Sequence, residues 1–230
     1  TAFLNALVRQ AYQNADKILA RLPTSGTTAV FVVSAGAIAP AQFVVNVNKV
    51  LTDKRLVVLQ RGTSALDAAQ TKALAVTSGG AAHIYLNLKG REANGIVDEV
   101  DAEKTIEEIV SALKSATDPT DGQPLFARVL KRSELARIGL ATENAGDVFA
   151  QARAGFALSA RLGASALVEP AGAIVGAGGY EASSMPMRGL LIWAGRGVTP
   201  AARYATYRAI DLAPLALKVL GLPLPAWMEK

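Results

Sequence analysis

Residues 172–197, GAIVGAGGYEASSMPMRGLLIWAGRG, constrain this chain more than any other stretch. A short apolar run leads into a glycine-dense bend, then a polar loop, then a second apolar run over 190–194 that stops at Gly195-Arg196-Gly197. Apolar runs of that length, bounded by Gly and Pro and without a helical period, predict buried strands joined by a loop at a sheet edge. In open α/β sheets the loops at strand ends are where chemistry is usually placed. Yet from Gly176 to Gly179 there is no His, Asp, Glu, Cys, Lys or Arg. The loop has the form of a site without its side chains.

The rest of the composition narrows the alternatives. With 230 residues the chain can bury a full core, and 51% of them are apolar. So apolar a chain points to a sheet buried on both faces, or to a face covered by something outside the chain. No cysteine is present, which excludes disulfides, thiolate metal sites and cysteine nucleophiles. His83 is the single histidine, so one copy cannot build a multi-histidine metal site. The formal charge is +5 and the pI about 9.6. The basic residues are scattered without an aromatic interleave, which argues against nucleic acid and suits an anionic surface or an acidic partner. Residues 30–47 are uncharged, but Ser34, Gly36, Pro40, Gln42 and Asn46 interrupt them, so strand and turn are expected rather than a transmembrane segment. A start at Thr1 with no signal peptide fits a processed product or a piece of something longer. The compartment is left open, with extracytoplasmic and membrane-peripheral placements both compatible.

Along the chain, Leu4, Leu7, Val8, Ala11, Ala15, Ile18 and Leu22 recur at helical spacing against Arg9, Gln13, Asp16 and Lys17, an amphipathic helix ended by Pro23 and Gly26. Residues 29–34 form a continuous β-branched run of the kind buried in parallel sheets. Residues 55–60 are a plausible strand, and 82–88 alternate Ala82, Ile84, Leu86 and Leu88 against His83, Tyr85 and Asn87. Ile106, Ile109, Val110 and Leu113 mark a helix capped near Asp101, and a strand is expected over 125–130. Further strands are expected at 147–152, 173–176 and 190–194. Asp211 and Pro214 open a last helix that Gly221 and Pro223 close.

Several segments, taken together and in order, resemble the C-terminal half of the type I phosphodiesterase/nucleotide pyrophosphatase family of the alkaline phosphatase superfamily. They are FVVSAGAIAP (31–40), HIYLNLKGREANGIVD (83–98), PLFARVLKRSEL (124–135), GAGGYEASSMPMRGLLIWAGRGV (176–198) and IDLAPLALKVLGLPLP (210–225). The resemblance implies an alkaline phosphatase-like α/β fold. A mostly parallel sheet flanked by helices would comprise 1–48 and 134–230, with a small inserted α+β (β-β-α-β) subdomain over 49–133. It also implies phosphoryl-ester hydrolysis with two zinc-like ions, one activating a nucleophile and both stabilising charge on the transferring group. After the strand ending at Ser34 the family has an Asp-His pair followed by Gly; Ala35, Gly36 and Ala37 stand there. Ahead of the later Gly-Tyr it has a ligand His; Gly178 stands there, before Gly179-Tyr180. None of these can coordinate a cation through its side chain. No metal cofactor is therefore expected, and Ser34, Gly179 and Tyr180 would line a vestigial cleft.

The other polar groups have simpler roles. His83 on an alternating strand is expected to be structural, and Lys89-Gly90-Arg91-Glu92 a solvated turn rather than a phosphate grip. The Gly-rich stretches lack the spacing of a dinucleotide or phosphate-binding loop. Ser34, Ser183 and Ser184 have no partner histidine near them in sequence, and Asp98, Glu99 and Asp101 suit a helix start. The expectation is a pseudoenzyme: a non-catalytic structural or docking subunit of a larger assembly, its apolar face or strand edge covered by another protein chain. The alternative is a metal-dependent phosphodiester or pyrophosphate hydrolase completed by another chain.

Overall fold

A computed structural model describes residues 2–22, 27–34, 36–184, 187–197 and 206–228. In chain order the elements begin with α1 (Ala2–Leu19), β1 (Ala29–Val33), β2 (Ala39–Asn46) and α2 (Val47–Asp53). There follow β3 (Ala73–Ser78), β4 (Ala81–Leu86), α3 (Glu99–Ser115) and β5 (Phe126–Lys131). After a 3-10 turn (Arg132–Ile138) come β6 (Val148–Ala152), β7 (Phe156–Ser159), β8 (Val168–Ala177), β9 (Leu191–Gly195) and α4 (Leu212–Leu220). The chain divides into two units, Thr1–Ala35 with Gly189–Lys230, and Gly36–Arg188.

The Gly36–Arg188 unit contains a four-stranded antiparallel sheet, β3-β4-β6-β5, and a three-stranded sheet, β7-β2-β8. Alternation in β4 puts Ala82, Ile84 and Leu86 into the core, as the period-two pattern predicts. Ile109, Val110, Ala112 and Leu113 form the buried stripe of α3, and Ile109 and Leu113 are wholly buried. Burying each such side chain stabilises the fold by roughly 1.5–3 kcal/mol. The helix starts at Glu99, with Asp98 in the N-cap position, three residues before the expected cap at Asp101.

Two expectations are corrected here. The sheets are mostly antiparallel; among the described strand pairs only β2 with β7 is parallel. The reason lies in the connections: β3 and β4 are joined by a tight Gly79-Gly80 turn, which can link only antiparallel strands. Residues 55–60 are not a strand, since Arg55 has φ 57° and only Leu59 bridges, to Leu66. The positions expected to bound the inserted subdomain, 48/49 and 133/134, fall inside α2 and inside the 3-10 turn. The β-β-α-β order occurs as β3, β4, α3 and β5, with β6 as an inner strand of the same sheet.

In the other unit β1 pairs antiparallel with β9, from Ala29 opposite Gly195 to Val33 opposite Leu191. Its strands are at most half-buried, not sunk in a parallel sheet as the β-branched run predicts. Phe31 stacks on Trp193 with ring centres 5.2 Å apart. Asp211 does not cap α4 with its side chain. Its carboxylate instead accepts from the Arg208 backbone N–H at 2.8 Å and from the Arg208 guanidinium. Gly221, at φ 74°, ends α4 as expected. No described helix is long and apolar enough to cross a membrane.

Candidate functional site

The glycine-dense loop after β8 is held from below by the β3–β4 hairpin. Gly80 N–H donates to Gly178 O at 2.7 Å, and a Cβ on Gly79 would stand 2.6 Å from the same oxygen. The Tyr180 ring lies against Gly80 so closely that a Cβ there would meet it at 2.6 Å. Its hydroxyl donates to Phe156 O at 2.8 Å, and burial pushes its pKa up. Gln151 Nε2 donates to Gly179 O at 2.8 Å, while Gln151 Oε1 is buried with no partner among the described residues. Glycine is required at Gly179, where φ is +82° and Ala81 Cβ would lie 3.1 Å from a new Cβ. The loop is an interlock of two glycine turns around one tyrosine.

Gly178 itself is different. A Cβ there would meet nothing nearer than Ala37 O at 3.7 Å, and around Gly36 there is nothing within 4 Å. Both positions have room for a side chain and neither has one. Ala35 lies outside the described residues. Ser34 belongs to the other unit, where its Oγ accepts from Leu190 N–H at 2.7 Å. Among the described residues no three His, Asp or Glu side chains gather where they could hold a cation. The described side chains therefore do not supply the donor set of a two-metal centre.

Elsewhere the ionisable groups build structure. His83 Nδ1 accepts from Gly146 N–H at 3.1 Å, its ring tilts against Phe149, and burial lowers its pKa. Arg91 forms a bidentate pair with Asp147, both bonds 2.7 Å, and also donates to Leu86 O. Burial pushes the Asp147 carboxyl upward, but Arg91 and the Leu86 N–H outweigh it and hold it below the usual carboxylate range. Lys89 pairs with Asp98 at the start of α3, so the Lys89-to-Glu92 segment clasps β4, β6 and α3 rather than gripping an anion. Ser184 Oγ donates to Glu181 O, and Arg196 O accepts from Trp193 Nε1. Sequence reasoning passed over Asn46 and Asn48, buried polar residues flanking Val47. Asn48 donates to Ala160 O and accepts from Ala75 N–H, blocking the outer edge of β3. An Asn-Val-Asn triplet after an apolar strand was the available signal. A groove of about 290 Å³ lies beside Leu66, Leu74, Val76 and Tyr85. Its polar groups have partners in the fold: Asn87 donates to Ala68 O and Thr71 O, Tyr85 to Asn144 O and Thr71 to Val58 O, and Glu92 pairs with Arg91.

No protein-family model and no curated protein matches the sequence. Solved structures do match. Human ectonucleotide pyrophosphatase/phosphodiesterase 5 superposes with a TM-score of 0.52 at 14% identity, over 86% of this chain. Its murine counterpart superposes with a TM-score of 0.56 at 15% identity over 87% of this chain, both alone and as an inactive variant in complex with AMP. The chain is similar in fold to the nucleotide pyrophosphatase/phosphodiesterases. At these identities the likeness is one of fold. The chain spans 42% of the human protein's length and 43% of the murine protein's.

Proposed function

We propose that this chain is a catalytically degenerate relative of the phosphodiesterases, corresponding to the C-terminal half of their fold and serving as a structural or docking subunit. The observation that carries the reading is the pair Gly36 and Gly178. Both stand where the resembled family places metal ligands, both have space for a side chain, and neither supplies a donor. The loop beside them has its backbone committed to Gly80 and Gln151, which suits packing rather than turnover. The strands β1 and β9 each have one neighbour among the described strands, and such edges are where a strand of another chain can add.

The test is metal stoichiometry together with turnover. Purified chain is equilibrated with zinc or manganese, desalted, and assayed on phosphodiester and pyrophosphate substrates. Substoichiometric metal and rates equal to the blank are expected. One or two tightly held ions per chain with turnover would replace this reading by the alternative class, a metal-dependent hydrolase.

A further inference from the structure

The two units share the apolar residues and the charge unevenly. Eight of the chain's 24 Lys and Arg but only three of its 19 Asp and Glu fall in Thr1–Ala35 and Gly189–Lys230. That unit therefore carries the whole formal excess of +5, and Gly36–Arg188 is balanced. No described residue of the basic unit is buried. Along α1 the side chains of Leu7, Val8, Tyr12 and Ile18 are exposed, Tyr12 by 68%. Near the C-terminus Trp227 is 81% exposed.

At 100° per residue Leu7, Val8, Ala11, Ala15 and Ile18 fall on one side of α1, while Arg9 and Lys17 lie outside that stripe; Arg21 and Leu22 follow in the turn beyond the helix. Asp16 is the lone acid of the segment. Arg9, Lys17, Arg21, Arg196 and Lys218 are exposed and make no ion pair among the described residues. A helix with an apolar stripe and a net positive charge in its own unit lies in the headgroup region of an anionic bilayer, where long basic side chains such as those of Lys17, Arg21 and Lys218 reach the phosphates. A protein groove could cover the stripe equally well. An uncharged groove gives no reason for the net charge to collect in this unit alone, whereas an anionic lipid surface does; an acidic protein groove is the occupant that absence of vesicle binding would indicate.

We infer that α1, helped by the basic residues of its own unit, docks this protein onto an anionic lipid bilayer as a peripheral, in-plane helix. The inference goes beyond the proposed function and stands whether or not the chain hydrolyses anything.

The experiment is sedimentation of the full chain with vesicles of equal parts phosphatidylcholine and phosphatidylserine, against vesicles of phosphatidylcholine alone. Binding to the anionic vesicles is expected to be at least about tenfold tighter, and to fall by a similar factor as salt is raised several-fold above about 0.1 M. The double variant Lys17→Glu, Arg21→Glu should lose about tenfold in affinity while its thermal unfolding is unchanged. Ile18→Ser should weaken binding to the same vesicles without altering the salt dependence. Equal binding to both vesicle types, or none at low salt, would overturn the inference. So would slow amide exchange along α1 in lipid-free protein that behaves as a stable dimer, since a protein face would then already cover the stripe.

Discussion

Gly36–Arg188 and its flanking segments draw on the same Leu, Ile, Val and Ala but spend them in opposite ways. Every buried apolar residue of the described chain lies in Gly36–Arg188, most of them gathered between α3, α2 and the sheets and a smaller cluster around Leu135 and Phe149. Most of the exposed large apolar residues lie in the other unit, from Leu7 and Tyr12 to Leu222 and Trp227. The larger unit has layers enough to cover both the stripe of α3 and the inner faces of its strands. A two-stranded sheet with two amphipathic helices leaves no described side chain of that unit fully buried, and two strands alone are marginal in water. Sequence amphipathicity thus creates a face in both places, but only one of them finds its cover among the described residues.

The difference can be broken most directly by truncation in each unit. Ile84→Ala, at a wholly buried position, should cost about 2–5 kcal/mol by denaturant titration, whereas Ile18→Ala in α1 should stay within about 0.5 kcal/mol. Equal losses would mean that α1 has a core after all. Next in size is Asp147→Ala, which orphans the buried Leu86 N–H and the half-exposed Arg91 guanidinium. A loss of about 2–3 kcal/mol is expected, read as a lower unfolding midpoint.

The glycine interlock sharpens the contrast within one loop. Gly79→Ala drives a methyl into Gly178 O and should cost about 1–3 kcal/mol; Gly178→Ala, facing open space, should change stability by less than about 0.5 kcal/mol. If the two substitutions behave alike, the loop is not locked as described.

The smallest effects are those of pH, and both should belong to the larger unit. Asp147 has a folded pKa below its unfolded value of about 3.9, so its contribution is complete above that pH and is lost as pH falls through the folded pKa. His83 is held neutral by burial, below its ordinary value of about 6.5. Between those two pKa values the unfolded chain binds the proton first, and stability declines as pH falls. Stability measured against pH should lose this shallow acid-side decline in His83→Gln and the steeper one below about pH 4 in Asp147→Ala.

Much of the element order was legible because periodicity is local. The stripe of α1, the alternation of β4 and the apolar spacing of α3 each announce themselves within a few turns of chain. So did the missing donors, since Gly36 and Gly178 lack side chains whatever surrounds them. Where the reading went astray, partners were distant. Residues 29–33 look the same locally whether they run beside a parallel neighbour or, as they do, antiparallel to β9 some 160 residues later. The turn at Arg55 was hidden because backbone handedness at a non-glycine residue leaves no compositional trace.

The sequence by itself determined which faces would be apolar, where positive charge would collect, and that the positions resembling metal-ligand sites carry no donor. Only the tertiary structure decided strand direction, the marriage of Arg91 to Asp147 across 56 residues, and the closing of the Gly178–Tyr180 loop onto Gly79 and Gly80. The reason is one of range. A periodic pattern specifies the side of an element that must leave water, whereas the partner is chosen by hydrogen bonds and contacts between segments that the chain brings together only on folding.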